Sequence, residues 1–360
     1  MGRQLKPGSS TRLCLLALLE ARRGQSVSGE QIAGLLGISR AAVWKAVKEL
    51  EKHGYKISAG KNKGYCLHEE NDILSAQGIL AHLRIHENDM PLFEKSDAQI
   101  NIHVFPTIDS TNTEAKKMAV AGAEHGTVVI ADQQTAGKGR YGRSFFSPSG
   151  HGVYMSFVLH MSRIWLSVPT LVTSFSAVAV CRAIEAVSNK KPRIKWVNDV
   201  FIDGKKVCGI STEAVTDYES GEIQWIVLGI GVNLSAPEGG FPENLKNIAG
   251  SVFSKEEHKS GKDPGNLTIT RNQLAAEIIK RIFFLENKGE QTETKMLADY
   301  KSRLLMLGEK ITVSSATGAA GKAYKATALD IDNIGRLIVK TEKGETVHLS
   351  AGQISVALSK

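Results

Sequence analysis

The chain contains two segments whose chemistries differ so much that one small domain does not explain both. Near the start, two polar-capped apolar runs around a turn glycine form a helix-turn-helix pattern, Gln31-Ile32-Ala33-Gly34-Leu35-Leu36-Gly37-Ile38-Ser39-Arg40. Farther along lies a basic glycine loop, Gly137-Lys138-Gly139-Arg140-Tyr141-Gly142-Arg143. The 360 residues suit two or three domains. The first segment predicts DNA binding, and the second predicts an anionic, phosphate-bearing ligand.

The excess positive charge is confined to the N-terminal segment. Residues 1–68 contain 12 of the 45 lysines and arginines but only 4 of the 37 acidic residues, which accounts for the whole net charge of +8. The remaining residues contain 33 of each sign. A concentrated basic segment is the electrostatic footprint of a domain that binds a polyanion. The charge therefore favours nucleic acid as the partner of the helix-turn-helix segment.

Local signals predict a winged helix-turn-helix over residues 1–68. Ser28 and Gln31 have capping-box spacing, and Gly37 suits the end of that helix. Ser39 is positioned to cap a third helix. That helix has a predicted buried stripe made of Val43, Val47 and Leu50. The predicted DNA-binding residues lie on its opposite face and in the turn of a basic hairpin that follows: Arg40, Trp44, Lys45, Lys48, Lys61 and Lys63.

The cysteines and the hydropathy pattern exclude several classes of protein. The four cysteines have no CxxC spacing and form no Cys/His set with the spacing of a zinc site, so they predict neither a metal site nor a disulfide framework. No uninterrupted apolar run approaches the ~18 residues that a membrane span needs. The apolar run 13–19 continues into charged residues without a small-residue cleavage site, which favours a core helix over a signal peptide. We therefore expect a soluble cytoplasmic protein with no membrane partner and no metal site built from its own residues.

The remainder of the chain predicts two further domains. Between residues 74 and 305, strands and helices alternate irregularly, which is typical of an α+β domain around a mixed sheet. Strands are predicted at 127–131, 153–159, 193–197 and 223–230, and helices at 167–187 and 271–287. From 306 to 360, short β segments punctuated by glycines predict a small barrel-like β domain.

The glycine loop has two interpretations besides a phosphate cradle. Its G-x-G-x-x-G spacing follows a predicted strand and matches the dinucleotide-binding fingerprint literally. Residues 143–148 lack a helical pattern, however, and the next acidic residue after the loop is Glu185, so the context of that fingerprint is missing. A solvated basic turn is the other alternative. The glycines allow backbone N–H groups to approach a ligand closely, and three cationic side chains accompany them.

The loop and its neighbours resemble the biotin-binding signature of biotin protein ligases. The signature covers residues 133–143, and four more family blocks occur in the expected positions along the chain: Ser110-Thr111-Asn112, Lys195-Trp196-Val197-Asn198-Asp199, Lys206-Val207-Cys208-Gly209-Ile210 and Gly229-Ile230-Gly231-Val232-Asn233. Five blocks in order are far more specific than any one of them. The flanking domains extend the resemblance over nearly the whole chain, to the bifunctional class in which the ligase also represses the biotin operon.

The resemblance implies a fold, a reaction and a set of partners. The fold is a winged helix-turn-helix over 1–68, a class II synthetase-like mixed-sheet α+β ligase domain over 74–305, and an SH3-like β-barrel over 306–360. In the reaction, biotin and ATP, with Mg²⁺, give biotinyl-5′-adenylate, and a lysine of a biotin carboxyl carrier protein then accepts the biotinyl group. The partners also include operator DNA and, when the adenylate is bound, a second copy in a homodimer.

The resemblance also assigns functional residues. Those assigned to biotin are Ser110, Thr111, Asn112, Gln134, Gly137, Lys138, Arg140 and Lys206. Those assigned to ATP and the adenylate are Arg143, Phe145, Asn198, Lys206 and Asn233. The catalytic residues are Lys206, Arg140, Arg143 and Asp199, which act by charge neutralisation and positioning. Taken alone, Ser110 also fits a helix N-cap, and the Asn198-Asp199 pair also fits a β-turn.

Four positions depart from the family pattern: Lys138, Phe145, Val197, where proline is common, and Cys208, where a small apolar residue is common. Lys138 stands where many members have arginine and so lacks the planar guanidinium fork, and Phe145 stands where tryptophan is common. One alternative function is a biotin-sensing transcription factor without catalysis. The presence of Lys206, Asn198 and Asp199 is evidence against it. The other is a lipoate or octanoate ligase on the same scaffold. A linear acyl chain has no ureido group for Ser110 and Gln134 to meet, which favours biotin.

Overall fold

The structure is a computed structural model that describes residues 11–60, 64–84, 100–161, 171–216, 220–254, 257, 269–284, 290–315, 323–350 and 354–358. The chain divides into two compact units. The first is made from 1–97 and 256–280, and the second from 98–255 and 281–360. The limits expected for three sequence domains, 1–68, 74–305 and 306–360, stay predictions.

The first unit begins with the helices and the hairpin that the sequence predicts. Its elements are α1 (Thr11–Ala21), α2 (Gly29–Leu36), α3 (Arg40–Lys52), β1 (Ile57–Gly60), β2 (Gly64–Leu67), α4 (Ala76–Arg84) and, through residue 280, α7 (Arg271–Phe284). The strands β1 and β2 pair antiparallel as the wing. This arrangement confirms a helix-turn-helix at the start of the chain.

The caps of α2 and α3 form as predicted. Ser28 Oγ accepts a hydrogen bond from Gln31 N at 3.1 Å, and Gln31 Oε1 accepts one from Ser28 N at 3.1 Å. Gly37 ends α2 with a φ of 65°, a left-handed conformation that glycine adopts at little steric cost. Ser39 Oγ accepts from Ala42 N at the start of α3. The stripe on α3, made of Val43, Val47 and Leu50, then packs into an apolar core with Leu15, Leu19, Ile32, Ile57 and Leu67.

The second unit is built on a seven-stranded sheet in the order β3-β4-β5-β9-β8-β7-β6. Only β3 and β4 are parallel, and the other neighbouring strands are antiparallel, which confirms the predicted mixed sheet. The strands are β3 (Ile102–Ile108), β4 (Thr127–Gln134), β5 (Gly152–His160), β6 (Arg193–Lys195), β7 (Asp199–Ile202), β8 (Lys205–Thr216) and β9 (Ile223–Asn233). The helices are α5 (Thr111–Val120), α6 (Leu171–Val187) and α8 (Glu290–Arg303). Helix α5 packs on β4, β5 and β9, and α6 packs on β6, β7 and β8.

The predicted strand 193–197 is two residues too long. Strand β6 ends at Lys195, and residues 196–198 form the loop of the β6–β7 hairpin. Two long-range hydrogen bonds fix the position of this loop. Trp196 Nε1 donates to Gly335 O at 3.1 Å, and Tyr300 Oη donates to Val197 O at 3.0 Å.

A separate antiparallel sheet follows near the C-terminus. It consists of β10 (Lys310–Ser315), β11 (Tyr324–Ile331), β12 (Leu337–Thr341), β13 (Thr346–Leu349) and β14 (Ile354–Leu358), in the order β13-β12-β11-β10-β14. Within the described residues, β13 and β14 do not pair, so the sheet is open. Among all the residues that the structure describes, no helix is both long enough and apolar enough to span a membrane.

Candidate active site

A cavity of ≈ 440 Å³ opens in the second unit where the glycine loop faces strands β8 and β9. It brings together nearly every residue that the sequence assigns to biotin, ATP or catalysis: Ser110, Thr111, Asn112, Gln134, Lys138, Arg140, Arg143, Phe145, Asn198, Asp199, Lys206 and Asn233. Gly137 does not line the cavity. It supports the loop instead, because a Cβ there would lie 2.5 Å from Phe145 O. These residues come from segments more than a hundred positions apart, so the sheet topology creates the site.

Ser110 offers an unpaired hydroxyl at one end of the cavity. It occupies the N-cap position of α5, but its side chain makes no capping hydrogen bond. The residue is 1% exposed, and its Oγ has no hydrogen-bond partner among the described residues. A buried hydroxyl without a partner costs free energy unless a ligand or a water satisfies it. The helix-cap interpretation therefore holds for the position of Ser110 and leaves its hydroxyl available to a ligand.

Thr111 and Gln134 support each other beside Ser110. Gln134 Oε1 accepts hydrogen bonds from Thr111 N at 2.8 Å and Thr111 Oγ1 at 3.1 Å. Gln134 Nε2 donates to Ser147 Oγ at 2.8 Å, and Ser147 Oγ donates to Phe145 O. One N–H of the Gln134 amide is left over for a ligand. This chain of bonds links α5 to the end of the glycine loop.

The glycine loop is a tight turn closed by its own backbone. Gly139 N donates to Arg143 O at 2.7 Å, and Phe145 N donates to Gly137 O at 2.8 Å. Arg140 Nη1 donates to Asn198 Oδ1 at 3.1 Å, which joins the loop to the β6–β7 hairpin. After the loop, the next helix among the described residues begins at 171. The dinucleotide fingerprint needs a helix directly after its glycines, so that alternative is excluded.

Phe145 lies across two glycines of neighbouring strands. Gly209 on β8 and Gly231 on β9 are register partners, and a Cβ would lie 3.2 Å from the Phe145 ring at Gly209 and 2.6 Å at Gly231. The ring also meets Tyr154 edge to face, with 6.3 Å between the centroids. A side chain at Gly231 would overlap the ring, and one at Gly209 would crowd it. Packing against Phe145 therefore explains why glycine occupies these two positions of the family blocks.

We expect Gly231→Ala to lower kcat/KM for the reaction at this site by about tenfold or more, because displacement of Phe145 moves the loop that ends at it. The measurement is steady-state kinetics on the purified variant. Gly34→Ala is the matched control, since a Cβ at Gly34 has no atom within 4 Å. Equal kinetics for Gly231→Ala and the control would show that the ring position is irrelevant.

The far end of the cavity is cationic. Lys206 Nζ lies 2.7 Å from Asp199 Oδ1, and both side chains are about a quarter exposed. Lys195 also lines the cavity, although no role was predicted for it. Burial lowers the pKa of Lys195, Asp199 opposes this, and the nearby charges of Lys206 and Arg143 lower it further. A cluster of cations with one carboxylate suits a ligand that carries several negative charges.

An apolar wall that the sequence did not predict completes the cavity. It consists of Trp196, Val197, Phe241, Leu245, Ile248 and Ala249. The 241–250 segment is fastened by Lys206 N, which donates to Ile248 O, and by Asn233 Nδ2, which donates to Gly250 O at 2.9 Å. Asn233 thus has a structural partner as well as a place in the cavity lining. Trp196 and Val197 belong to a family block, but no local motif marks the wall residues at 241–249, because long-range hydrogen bonds bring that segment to the site.

The predicted DNA-binding residues of the first unit lie on one face of α3. Arg40, Trp44, Lys45 and Lys48 are all exposed, and Trp44 is 57% exposed. Lys48 pairs with Glu51 at 2.7 Å on the same helix. The two predicted wing residues, Lys61 and Lys63, lie outside the described residues. An exposed aromatic ring among cations is unusual for a helix face that contacts only water.

Three known families match successive parts of the chain. They are an HTH domain over 11–66, the Biotin/lipoate A/B protein ligase family over 104–233 and the Biotin protein ligase C terminal domain over 307–356. The central match covers the strands, the loop and the hairpin that form most of the cavity. The fold and the site thus define a class of protein, a biotin or lipoate protein ligase that carries a helix-turn-helix.

Individual relatives narrow this class. The bifunctional ligase/repressor BirA of Bacillus spizizenii is 32% identical over 343 residues, which are 93% of this chain and 96% of the relative. The protein of the same name from Escherichia coli is 30% identical over 349 residues, 96% of each chain. The solved biotin protein ligase of Aquifex aeolicus in complex with biotin and ATP is 25% identical, with a TM-score of 0.56 over 72% of this chain and 99% of that one. The chain belongs to the biotin protein ligase family, in its bifunctional ligase/repressor group.

Proposed function

We propose that this protein attaches biotin to a lysine of a biotin carboxyl carrier protein and represses biotin genes in response to biotin. The observation that carries the ligase function is that one cavity gathers polar groups, a basic loop and a cationic end from five sequence blocks. The relatives with both ligase and repressor in their names match nearly the whole chain, including its helix-turn-helix. The two activities would then reside in the two units of one polypeptide.

The first step joins biotin to ATP. A carboxylate oxygen of biotin attacks the α-phosphorus, the bond to the β-phosphate oxygen breaks, and pyrophosphate leaves. The protein supplies no covalent intermediate, so its task is to place the two anions together and to neutralise the charge. Lys206, Arg140 and Arg143 perform this task as catalytic cations. Asp199 holds Lys206 in place through their 2.7 Å ion pair.

The two ends of the cavity suit the two substrates. Ser110, Thr111, Asn112 and Gln134 form the polar end, where hydroxyls and amides meet the ureido ring of biotin. Lys138, Arg140 and the backbone near Gly137 close over the biotin carboxylate. Phe145, Arg143, Asn198 and Asn233 take the adenylate, and Lys206 serves both substrates. The apolar wall, whose 241–250 segment is fastened to Lys206 and Asn233, suits the apolar parts of the ligand and keeps water from the mixed anhydride.

The cationic end of the cavity also contains one carboxylate, that of Asp199, which suits Mg²⁺ as a ligand. In nucleotide sites this ion is bound by one or two carboxylates together with substrate phosphates, and not by a full protein cage. Of the described residues that line the cavity, Asp199 is the only acidic one, and no group of three or more His, Cys, Asp or Glu side chains in the described part of the chain forms a metal cluster. We infer that Asp199 would hold Mg²⁺ with the ATP phosphates. When bound, the ion adds further neutralisation of phosphate charge.

The second step transfers biotin to the carrier. The ε-amine of the acceptor lysine attacks the acyl carbon of biotinyl-5′-adenylate, the acyl–phosphate bond breaks, and AMP leaves. Arg140 is held to Asn198 and stacks on the Tyr141 ring at 4.9 Å, so it stays beside the departing phosphate. Until a carrier arrives, the closed loop retains the adenylate.

The repressor function rests on the first unit. The exposed face of α3 enters the major groove of operator DNA, and the wing lysines contact phosphates. The adenylate-loaded protein forms a homodimer that matches a palindromic operator. For the C-terminal domain, 306–360, we propose an SH3-like β fold, in which the open sheet of five antiparallel strands is the framework. We place the protein in the cytoplasm, where its substrates and its operator occur together.

The test is a product analysis on the full-length protein. Purified protein is incubated with ATP, Mg²⁺, an isolated biotin carboxyl carrier domain and biotin, lipoate or octanoate. Pyrophosphate release and the mass of the carrier are measured. We expect release and a biotinyl mass gain with biotin alone. Biotin binding without pyrophosphate would show a non-catalytic sensor, and turnover with lipoate or octanoate would assign a different acyl substrate.

A further inference from the structure

Glu213 on β8 lies behind the polar end of the cavity and belongs to none of the predicted site residues. Its Oε1 accepts a hydrogen bond from Asn112 Nδ2 at 2.7 Å, and its carboxylate pairs with Lys116 on α5. We propose that Glu213 is a positioning residue for biotin, which fixes the side chain of Asn112 and thereby the hydroxyls at the polar end of the cavity. This inference rests on the proposed function of the site.

The orientation of the Asn112 amide is the property that Glu213 controls. Asn112 is 4% exposed, and its Nδ2 donates both to Ser211 Oγ at 3.1 Å and to Glu213. Its Oδ1 accepts from Ser156 Oγ at 2.6 Å. A carboxylate only accepts hydrogen bonds, whereas a serine hydroxyl both donates and accepts. Rotation of the amide by half a turn would place its oxygen against the carboxylate, so Glu213 selects one of the two orientations.

The orientation of the Asn112 amide also affects Thr111, a second residue that lines the cavity. Ser156 Oγ lies 2.8 Å from Thr111 Oγ1 as well as close to Asn112, and Thr111 Oγ1 donates to Gln134 Oε1. Each hydroxyl has one hydrogen, so the direction of one bond constrains the next. A change at Asn112 therefore alters the hydrogen bonds available to Thr111. Gly229 makes this packing possible, since a Cβ there would overlap Asn112 Oδ1.

The carboxylate of Glu213 stays negatively charged at neutral pH. Burial, the largest influence, raises the pKa of Glu213, but the hydrogen bonds from Lys116 and Asn112 outweigh it, and the net pKa is lowered. The carboxylate therefore stays ionised, and an acceptor only, above its ordinary pKa. The position of Asn112 is thus insensitive to pH near neutrality.

The experiment measures biotin affinity and steady-state kinetics of the full-length protein. We expect Glu213→Ala to raise the biotin Kd and KM about tenfold and to change kcat less than about twofold, because biotin binding is affected more than the chemical step. Glu213→Gln retains an acceptor but no longer excludes the second orientation, so we expect about a threefold rise. Glu114→Gln is the matched control, since Glu114 lies on α5, pairs with Lys117 at 3.4 Å and does not line the cavity.

A double-mutant cycle separates positioning from a general structural effect. If Glu213 acts through Asn112, Glu213→Ala adds nothing to the rise in biotin KM that Asn112→Ala causes. Additive effects, or a Glu213→Ala variant that matches Glu114→Gln, would overturn the inference. If Glu213→Ala does not fold, as judged by thermal unfolding, the near-isosteric Glu213→Gln decides between the same two outcomes. Absence of biotin binding by the wild type would overturn the proposed function itself.

Discussion

Lys206→Ala is expected to lower the rate of biotinyl-adenylate formation by about 10²–10³-fold, the usual loss when one preorganised charge-stabilising group is removed. Lys206 projects from β8 into the cationic end of the cavity and pairs with Asp199 at 2.7 Å. Its loss removes a cation that neutralises phosphate charge, and it also removes the partner of the Asp199 carboxylate. The measurement is pyrophosphate release in a single turnover with saturating biotin and ATP.

The control for this variant is a lysine of equal charge outside the cavity. Lys340 on β12 is exposed and does not line the site. Lys340→Ala should release pyrophosphate at the wild-type rate. A Lys206→Ala variant that is folded and retains more than about a third of the wild-type rate would remove Lys206 from the catalytic residues.

The double variant Arg40→Ala, Lys45→Ala is expected to lower operator affinity by about a hundredfold while the ligase rate is unchanged. Both side chains are exposed on the face of α3 opposite to its buried stripe. Alanine has the highest helix propensity, so the helix should persist. If both residues contact phosphates, the negative slope of log K against log salt concentration becomes shallower by about two.

Lys52→Ala provides the comparison on the same helix. Lys52 ends α3 and pairs with Glu49 at 3.1 Å, more than a turn beyond Lys45. Groove contacts come mainly from the N-terminal part of a recognition helix, so we expect less than about a twofold loss of affinity. The measurement is a titration of labelled operator at several salt concentrations. Undiminished binding by the double variant would show that α3 does not read the operator.

The winged helix-turn-helix was predictable because its signals are local. The capping box at Ser28 and Gln31, the turn at Gly37 and the cap at Ser39 each lie within one helical turn of the structure that they determine. The buried stripe of α3 follows from its spacing alone. The resemblance to a family likewise identified motifs that the fold brings to one cavity. Their roles in binding and catalysis stay predictions for the experiments above.

The rest of the site depends on contacts that no local pattern contains. Glu213 meets Asn112 across 101 positions of sequence, and Trp196 meets Gly335 across 139. The apolar wall at 241–249 is placed by backbone bonds to β8 and β9. Strand β6 ends at Lys195 because the chain turns there into the hairpin with β7, and Trp196 and Val197 in the turn bind distant partners. Single contacts between distant residues leave no periodic pattern in the sequence, so only the three-dimensional structure shows which residues are neighbours.

The central claim is that one chain makes biotinyl-adenylate and uses it to control DNA binding. The most direct test selects an operator from random DNA with the full-length protein, biotin and ATP, and then measures its affinity with biotin alone, ATP alone, both, or both plus carrier domain. We predict tight binding only with both substrates, and its loss when the carrier removes the adenylate. Equal operator affinity under all four conditions would contradict the claim.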